Sequence, residues 1–190
     1  MSRARLEAFS DGVIAVLITI MVLGLRPPSG IALSDLHPLF PKVAIYLLSF
    51  VFLAIYWNNH HNLMAVVERI SGGVMWANAL LLFCLSLTPI TAAWLGPHLG
   101  KSAPVGVYGV ILLASALSFT MLTRALLAIH APDSPLARAV GHDSKGKLSI
   151  VGYVVGIAAA PVLPWLSLGL YAAVACAWLV PDRRMARVMS

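Results

Sequence analysis

The sequence predicts an all-α polytopic membrane protein with six transmembrane helices in each subunit. Apolar runs of about 20 residues, the length that crosses a bilayer, recur along the whole chain. Hydrophobic residues make up 60% of the chain and charged residues only 11%, whereas a soluble domain has about 25% charged residues. The pattern excludes an ordinary soluble enzyme and predicts a single membrane domain over residues 1–190.

Turn-forming residues separate the predicted spans. Pro27-Pro28-Ser29-Gly30 ends the first span, Gly96-Pro97 ends the third, and Pro161 and Pro164 separate the last two. A single helix through the last two runs would be nearly twice as long as the hydrocarbon core requires. The six predicted spans are residues 9–25, 43–57, 74–95, 104–127, 148–163 and 165–180.

The distribution of basic residues predicts the side of the membrane on which the termini lie. With six spans both termini share one side, and ten of the 13 Lys and Arg residues fall on it, leaving Arg26, Lys42 and Lys101 opposite. Because positive charge is concentrated in cytoplasmic segments, both termini are predicted to be cytoplasmic, in the cell membrane. A basic cytoplasmic loop, residues 130–147, suits contact with anionic lipid headgroups. The net charge of +6 therefore indicates membrane orientation and not nucleic acid binding.

Polar residues are concentrated at the start of the first span. Arg5, Ser10 and Asp11 precede or open an otherwise apolar run, and ionisable groups within a span usually face protein or water and mark a functional path. Ser10 and Asp11 could instead cap the amino end of the helix, where free N–H groups and the helix dipole favour an anion. Both interpretations remain open at this point.

A stripe of four residues follows on one face of the first helix. Val16, Thr19, Ile20 and Leu23 stand at i, i+3, i+4 and i+7, so one hydroxyl and three branched side chains share a face. Such a stripe alone is more typical of packing than of a pore, but Asp11 lies about one and a half turns earlier on the same helix. Because one helix per subunit cannot enclose water, a pore here requires a symmetric oligomer.

Three segments of the sequence resemble the transmembrane protein 175 potassium-channel family. They are Arg5-x-x-x-Phe9-Ser10-Asp11-Gly12-Val13 with Thr19 further along the same helix, Trp57-Asn58-Asn59-His60-His61, and Trp76-Ala77-Asn78. The chain length is also similar to that of the bacterial, single-repeat members. The resemblance covers essentially the whole chain, although the last three predicted helices match only in outline.

The resemblance implies a potassium-permeable cation channel assembled from four identical subunits. The first helix would line the ion path, with Val16, Ile20 and Leu23 as hydrophobic layers and Thr19 as a hydroxyl ring. A polar network among the first three helices would comprise Arg5, Phe9, Ser10, Asp11, Trp57, His60, His61 and Asn78. Within it, His60 or His61 is the expected partner of Asp11 or Arg5.

Other classes of function fit the sequence less well. A proton-coupled transporter of small solutes would use Asp11 and one histidine as a relay, but such transporters usually show inverted repeats and broken helices. An intramembrane enzyme or metal site is weakly supported, because His60 and His61 point to different helix faces and no third ligand is suitably spaced. A purely structural protein leaves the polar groups unexplained. We therefore predict no catalytic residue, no metal site and no cofactor, with permeant potassium as the ligand.

Packing explains the remaining motifs. Cys84 and Cys176 each lie within an apolar run and are predicted to be packing residues, not a disulfide or a metal site. Gly152 and Gly156, four residues apart in an apolar helix, predict a close helix contact. Gly152-Tyr153 faintly resembles a potassium-selectivity filter, but it lacks the second glycine and the re-entrant segment of carbonyl groups that such a filter needs.

Overall fold

All regular structure in the described residues, 2–141 and 143–179 of a computed structural model, is helical, as the sequence predicts. Two 3-10 turns, Leu33–Leu39 and Gly96–His98, lie between α-helices. The helices are α1 (Arg3–Leu23), α2 (Phe40–Ala65), α3 (Gly72–Ser86), α4 (Thr88–Leu95), α5 (Ser102–Leu127), α6 (Pro135–Val140), α7 (Ser144–Ala159) and α8 (Pro164–Leu179).

Four helical segments within the described residues are long and apolar enough to cross a membrane: Arg3–Leu23, Leu33–Ala65, Gly72–His98 and Ser102–Leu127. Helices α7 and α8 have 16 residues each, which at 1.5 Å per residue is about 24 Å. The hydrocarbon core is about 30 Å thick, so the count of six spans stays a prediction. Val180, the predicted end of the last span, and the tail residues Arg183, Arg184 and Arg187 lie outside the described residues.

Helix α1 begins well before the predicted start of the first span. The Oγ of Ser2 accepts a hydrogen bond from the backbone N of Arg5 at 3.4 Å and caps the helix. Ser10 and Asp11 therefore lie in the second turn and beyond, where the backbone N–H groups already have helical partners. The interpretation of Ser10 and Asp11 as capping residues is wrong.

The third predicted span is a broken helix. Helix α3 ends at Ser86, and α4 begins at Thr88 with Pro89 in its first turn. Proline has no N–H to donate and is tolerated in the first turn of a helix but not in its interior. The regular helix is therefore interrupted at Leu87, and α3 packs mainly on α5 whereas α4 packs on α2 and α5.

Part of the predicted basic loop is helical. Within residues 130–147 the chain forms α6, and Ser134 caps it by accepting a hydrogen bond from the N of Ala137 at 3.2 Å. Leu136 and Ala139 of α6 are buried against the rest of the bundle. The polar composition of the segment conceals these two apolar anchors, which are enough to hold one face of the short helix against the protein.

Tyr171 of α8 joins the second half of the bundle. Its ring lies against two glycines, Gly109 of α5 and Gly156 of α7, and a Cβ atom at either position would overlap the tyrosine. The rings of Tyr108 and Tyr153 also lie near it, with centroids 6.3 and 6.2 Å away. The close contact predicted from Gly152 and Gly156 is therefore confirmed, and α5, α7 and α8 approach closely because these glycines lack side chains.

Candidate functional site

Three fully buried polar residues connect α1, α2 and α3. The Nε2 of His60 lies 2.9 Å from the Oδ1 of Asn78, and the Nδ2 of Asn78 lies 2.9 Å from the Oγ of Ser10. Ser10 in turn donates to the backbone oxygen of Leu6 at 2.9 Å. The exposed fractions of Ser10, His60 and Asn78 are 0%, 0% and 1%, so these bonds replace water that the site excludes.

The donors of this chain all point in one direction. An amide oxygen can only accept, so His60 carries its proton on Nε2 and donates to Asn78; Asn78 donates to Ser10, and Ser10 donates to Leu6. The Nδ1 of His60 is buried and has no hydrogen-bond partner among the described residues. These hydrogen bonds therefore link the three helices in one direction, from α2 through α3 to α1. The Nδ1 of His60 is left as an acceptor that no described residue uses.

The second histidine belongs to a separate contact. The Nδ1 of His61 lies 3.0 Å from the Oε1 of Glu7, and the ring of Trp57 stacks on His61 with centroids 6.2 Å apart. The expectation that a histidine pairs with Asp11 or Arg5 is wrong: His60 binds Asn78, and His61 binds Glu7. The helical periodicity of α2 explains the split, because adjacent residues point to different faces.

The other predicted network residues lie nearby without joining the hydrogen-bonded chain. Asp11 is partly buried, and its Oδ1 has no hydrogen-bond partner among the described residues. Arg5 is exposed and forms no ion pair with a described carboxylate. Phe9 is also exposed.

Helix α1 has two distinct faces. Its buried face, which packs on the rest of the subunit, consists of Leu6, Ser10, Ile14, Leu17 and Met21. The predicted stripe lies on the other side: Val16, Thr19, Ile20 and Leu23 are all exposed in the single subunit, Leu23 to 78%. The stripe is therefore free to face an oligomer axis, and it does not contribute to the core of its own subunit.

The hydroxyl of Thr19 is oriented by its own helix. Its Oγ1 donates to the backbone oxygen of Val16 at 2.9 Å. Because the proton is committed to this bond, the lone pairs of Oγ1 remain available to accept or to contact a cation. From Val16 to Leu23 the stripe rises about 10 Å at 1.5 Å per residue.

Two further contacts between α1 and α2 were not predicted from the sequence. Glu7 pairs with His61, and the guanidinium of Arg3 donates to the backbone oxygens of Ala65 and Val67 at 3.2 and 3.3 Å, at the carboxyl end of α2. The partners of Arg3 are carbonyl groups, which no side-chain pattern reveals. The Glu7–His61 pair could have been suspected, because both ionisable residues lie near the ends of neighbouring helices. The register of α1 against α2, which decides the pairing, cannot be read from one sequence.

Within the residues that the structure describes, no three His, Cys, Asp or Glu side chains are close enough together to hold a metal ion. Cys84 is buried and Cys176 exposed, and both are free thiols. The chemistry of the first three helices is thus that of hydrogen bonding and charge, in a helical bundle that exposes large apolar side chains to its surroundings.

These features define a multi-pass helical membrane protein in which α1 has polar residues near its amino end and one face exposed. Comparison with known proteins assigns the family. The family model described as endosomal/lysosomal potassium channel TMEM175 matches residues 5–89. This range contains the whole polar chain and the whole exposed stripe of α1. Helices α5 to α8 lie outside it.

Individual relatives cover nearly the whole chain. A potassium channel of Chryseobacterium sp. strain P1-3 is 43% identical over 97% of this chain and 96% of its own length. A potassium channel of Chamaesiphon minutus is 32% identical over 87% of this chain and 88% of its own. The crystal structure of a lysosomal potassium-selective channel TMEM175 homolog from Chamaesiphon minutus superposes with a TM-score of 0.80 and 28% identity, covering 94% of this chain and 96% of that one.

The chain belongs to the TMEM175 family. The resemblance inferred from the sequence motifs is thereby confirmed. The family and these relatives are channels and not enzymes.

Proposed function

We propose that this protein is a passive potassium channel in which α1 of four identical subunits surrounds the pore. The observation that carries the proposal is the two-faced character of α1: one side packs in the core, and the other exposes Val16, Thr19, Ile20 and Leu23. Membership of a channel family supports conduction over the proton-coupled transporter. That alternative also needs contact between Asp11 and a histidine, and both histidines bind other residues.

The stripe supplies two kinds of ring in a four-fold assembly. Val16, Ile20 and Leu23 would each contribute four branched side chains, and such hydrophobic constrictions gate by excluding water. Thr19 would contribute four hydroxyl oxygens, with their protons turned back to the helix, that replace part of the hydration shell of a cation. Conduction then needs no filter of backbone carbonyls.

The assembly would lie in the cell membrane with its amino termini in the cytoplasm. The excess of Lys and Arg on the side of the termini supports this orientation. Helices α7 and α8 would complete six spans, with the bilayer thinned locally around their short lengths.

Potassium flux in liposomes that contain the purified protein tests the function. We expect a potassium gradient to drive uptake of a tracer cation and a sodium gradient to drive less. If liposomes with the protein took up no more tracer than liposomes without it, the channel proposal would be overturned. The mass of the purified oligomer in detergent tests the four-fold assembly independently.

Cysteine accessibility tests which face of α1 lines the pore. In a background with Cys176 replaced by Ser, small water-soluble thiol reagents should block flux through Val16→Cys, Thr19→Cys and Leu23→Cys. Ile14→Cys and Leu17→Cys are the matched controls, because both positions are buried in the subunit. Block confined to these two controls would assign the wrong face to the pore.

A further inference from the structure

A large cavity lies at the end of α1 that is remote from the amino terminus. Its volume is about 590 Å³, within the range of about 300–1,000 Å³ that is usual for ligand pockets. The end of α1, the start of α2 and helix α4 surround it, and Leu23, Tyr46 and Ile90 contribute to its largely apolar wall.

The charged residues of this wall are both cationic. Arg26 follows α1 and Lys42 lies in the first turn of α2, and the described residues of the wall include no carboxylate. Neither cation forms a salt bridge with a described residue. Gly96, at the end of α4, allows the backbone of Lys42 to approach closely, because a Cβ there would lie 3.1 Å from the Lys42 Cα. Two cations on one cavity wall repel each other until an anion lies between them.

Both cations lie close to an end of an apolar segment, where basic side chains reach the headgroup layer of a bilayer. Arg26 lies just beyond the apolar segment Arg3–Leu23, and Lys42 lies near the start of Leu33–Ala65. The rest of the cavity wall is mostly apolar and includes Ala92 and Ala93. A ligand that fits must combine a negative group with an apolar body.

We propose that this cavity binds the headgroup of an anionic phospholipid. Arg26 and Lys42 hold the phosphate, and the apolar wall contacts the glycerol backbone and the first part of an acyl chain. Charge-assisted bonds to phosphate are the strong class of hydrogen bond, and basic residues at a membrane surface each favour anionic lipid by about a factor of five.

A second copy of this chain is the competing occupant, and its charge argues against it. In a cyclic tetramer a neighbouring subunit would meet the cavity with a different surface, so it would have to supply an acidic group at this end of the bundle. Asp35 is the acidic residue of the connection between α1 and α2, and its Oδ2 already accepts from the N of Ala32 at 2.9 Å. The cavity thus matches an external anion better than another cationic subunit.

Occupancy of the cavity bears on conduction, a consequence that rests on the proposed function. Ile20 and Leu23 belong both to the cavity wall and to the exposed stripe of α1. A bound lipid therefore contacts the flank of the residues proposed to form the constriction. Anionic lipid should then alter potassium flux as well as bind.

Lipid binding to the purified oligomer tests the proposal without measuring flux. Native mass spectrometry would compare dioleoyl phosphatidylglycerol with dioleoyl phosphatidylcholine on the unmodified protein and on Arg26→Gln, Lys42→Gln and Lys101→Gln. We expect the unmodified protein to prefer phosphatidylglycerol, and Arg26→Gln or Lys42→Gln to weaken its binding roughly five- to tenfold. Lys42→Arg should retain binding. Lys101→Gln, an exposed cation at the same end of the bundle but outside the cavity wall, should change it less than twofold.

Several results would overturn the proposal. Equal phosphatidylglycerol binding by Arg26→Gln, Lys42→Gln and the unmodified protein would remove the two cations from the site. Displacement of phosphatidylglycerol by inorganic phosphate at similar concentration would identify a soluble anion as the occupant. Loss of the oligomer in Arg26→Gln would show that the cavity is a contact between subunits. If flux fails but selective lipid binding persists, the proposed function falls and the lipid site stands.

Discussion

Replacing Asn78 tests the buried link among α1, α2 and α3. Asn78→Leu keeps the branching of the side chain but removes two hydrogen bonds at once, the one from His60 and the one to Ser10. Hydrogen bonds between membrane helices contribute about 0.6 kcal/mol on average and at most about 1.7 kcal/mol each. We therefore expect the free energy of unfolding to fall by about 1–3 kcal/mol.

Unfolding in mixed micelles of mild detergent and dodecyl sulfate measures this change. Tryptophan fluorescence reports the transition, since the chain has five tryptophans. Protein concentration must be fixed, because subunit association contributes to the apparent stability of an oligomer. Asn58→Leu is the matched control: Asn58 is exposed and forms no side-chain hydrogen bond with a described residue.

A double-mutant cycle identifies the bond itself. Ser10→Ala and Asn78→Leu share the Asn78–Ser10 bond, so their combined effect should be smaller than the sum of the two single effects by about 0.6–1.7 kcal/mol. Additive effects would mean that the bond contributes nothing. If Asn78→Leu cost no more than Asn58→Leu, the assignment of a stabilising role to this polar chain would be refuted.

Three further changes address other parts of the molecule. Leu23→Asn, with Val22→Asn as its neighbour control, should raise conductance by making a hydrophobic ring wettable; unchanged single-channel current would exclude Leu23 from the constriction. Asp11→Asn should assemble as the unmodified protein does, to within about 0.5 kcal/mol, because its Oδ1 has no described partner to lose; a reduced yield of oligomer on size-exclusion chromatography would contradict this. Gly109→Ala should lower the thermal midpoint of the oligomer through overlap with Tyr171, whereas Gly169→Ala, with open space around it, should not.

The helices and the exposed stripe of α1 could be predicted from the sequence because their causes are local. Long apolar runs specify the spans, and the positions 16, 19, 20 and 23 share a face by helical geometry alone. The structure places these residues on the exposed side of α1. Their role in a pore stays a prediction, since it depends on contacts between subunits.

Features that depend on register between helices were mispredicted or missed. Whether His60 or His61 faces Asn78 is decided by the rotation of α2 against α3, which the order of residues does not state. The interruption of the helix at Leu87 had a visible cause in Pro89, but hydropathy treats the surrounding run as continuous. In the loop 130–147 the average composition outweighed the few apolar residues that anchor α6.

The packing of Tyr171 against two glycines has an evolutionary consequence. Tyr171 fills the room that Gly109 and Gly156 leave empty, so a larger residue at either glycine requires α5, α7 and α8 to shift together. The exposed stripe of α1 is under no such restriction within its own subunit. Single substitutions can therefore change that stripe one residue at a time, whereas a larger residue in place of Gly109 or Gly156 requires a compensating change at Tyr171.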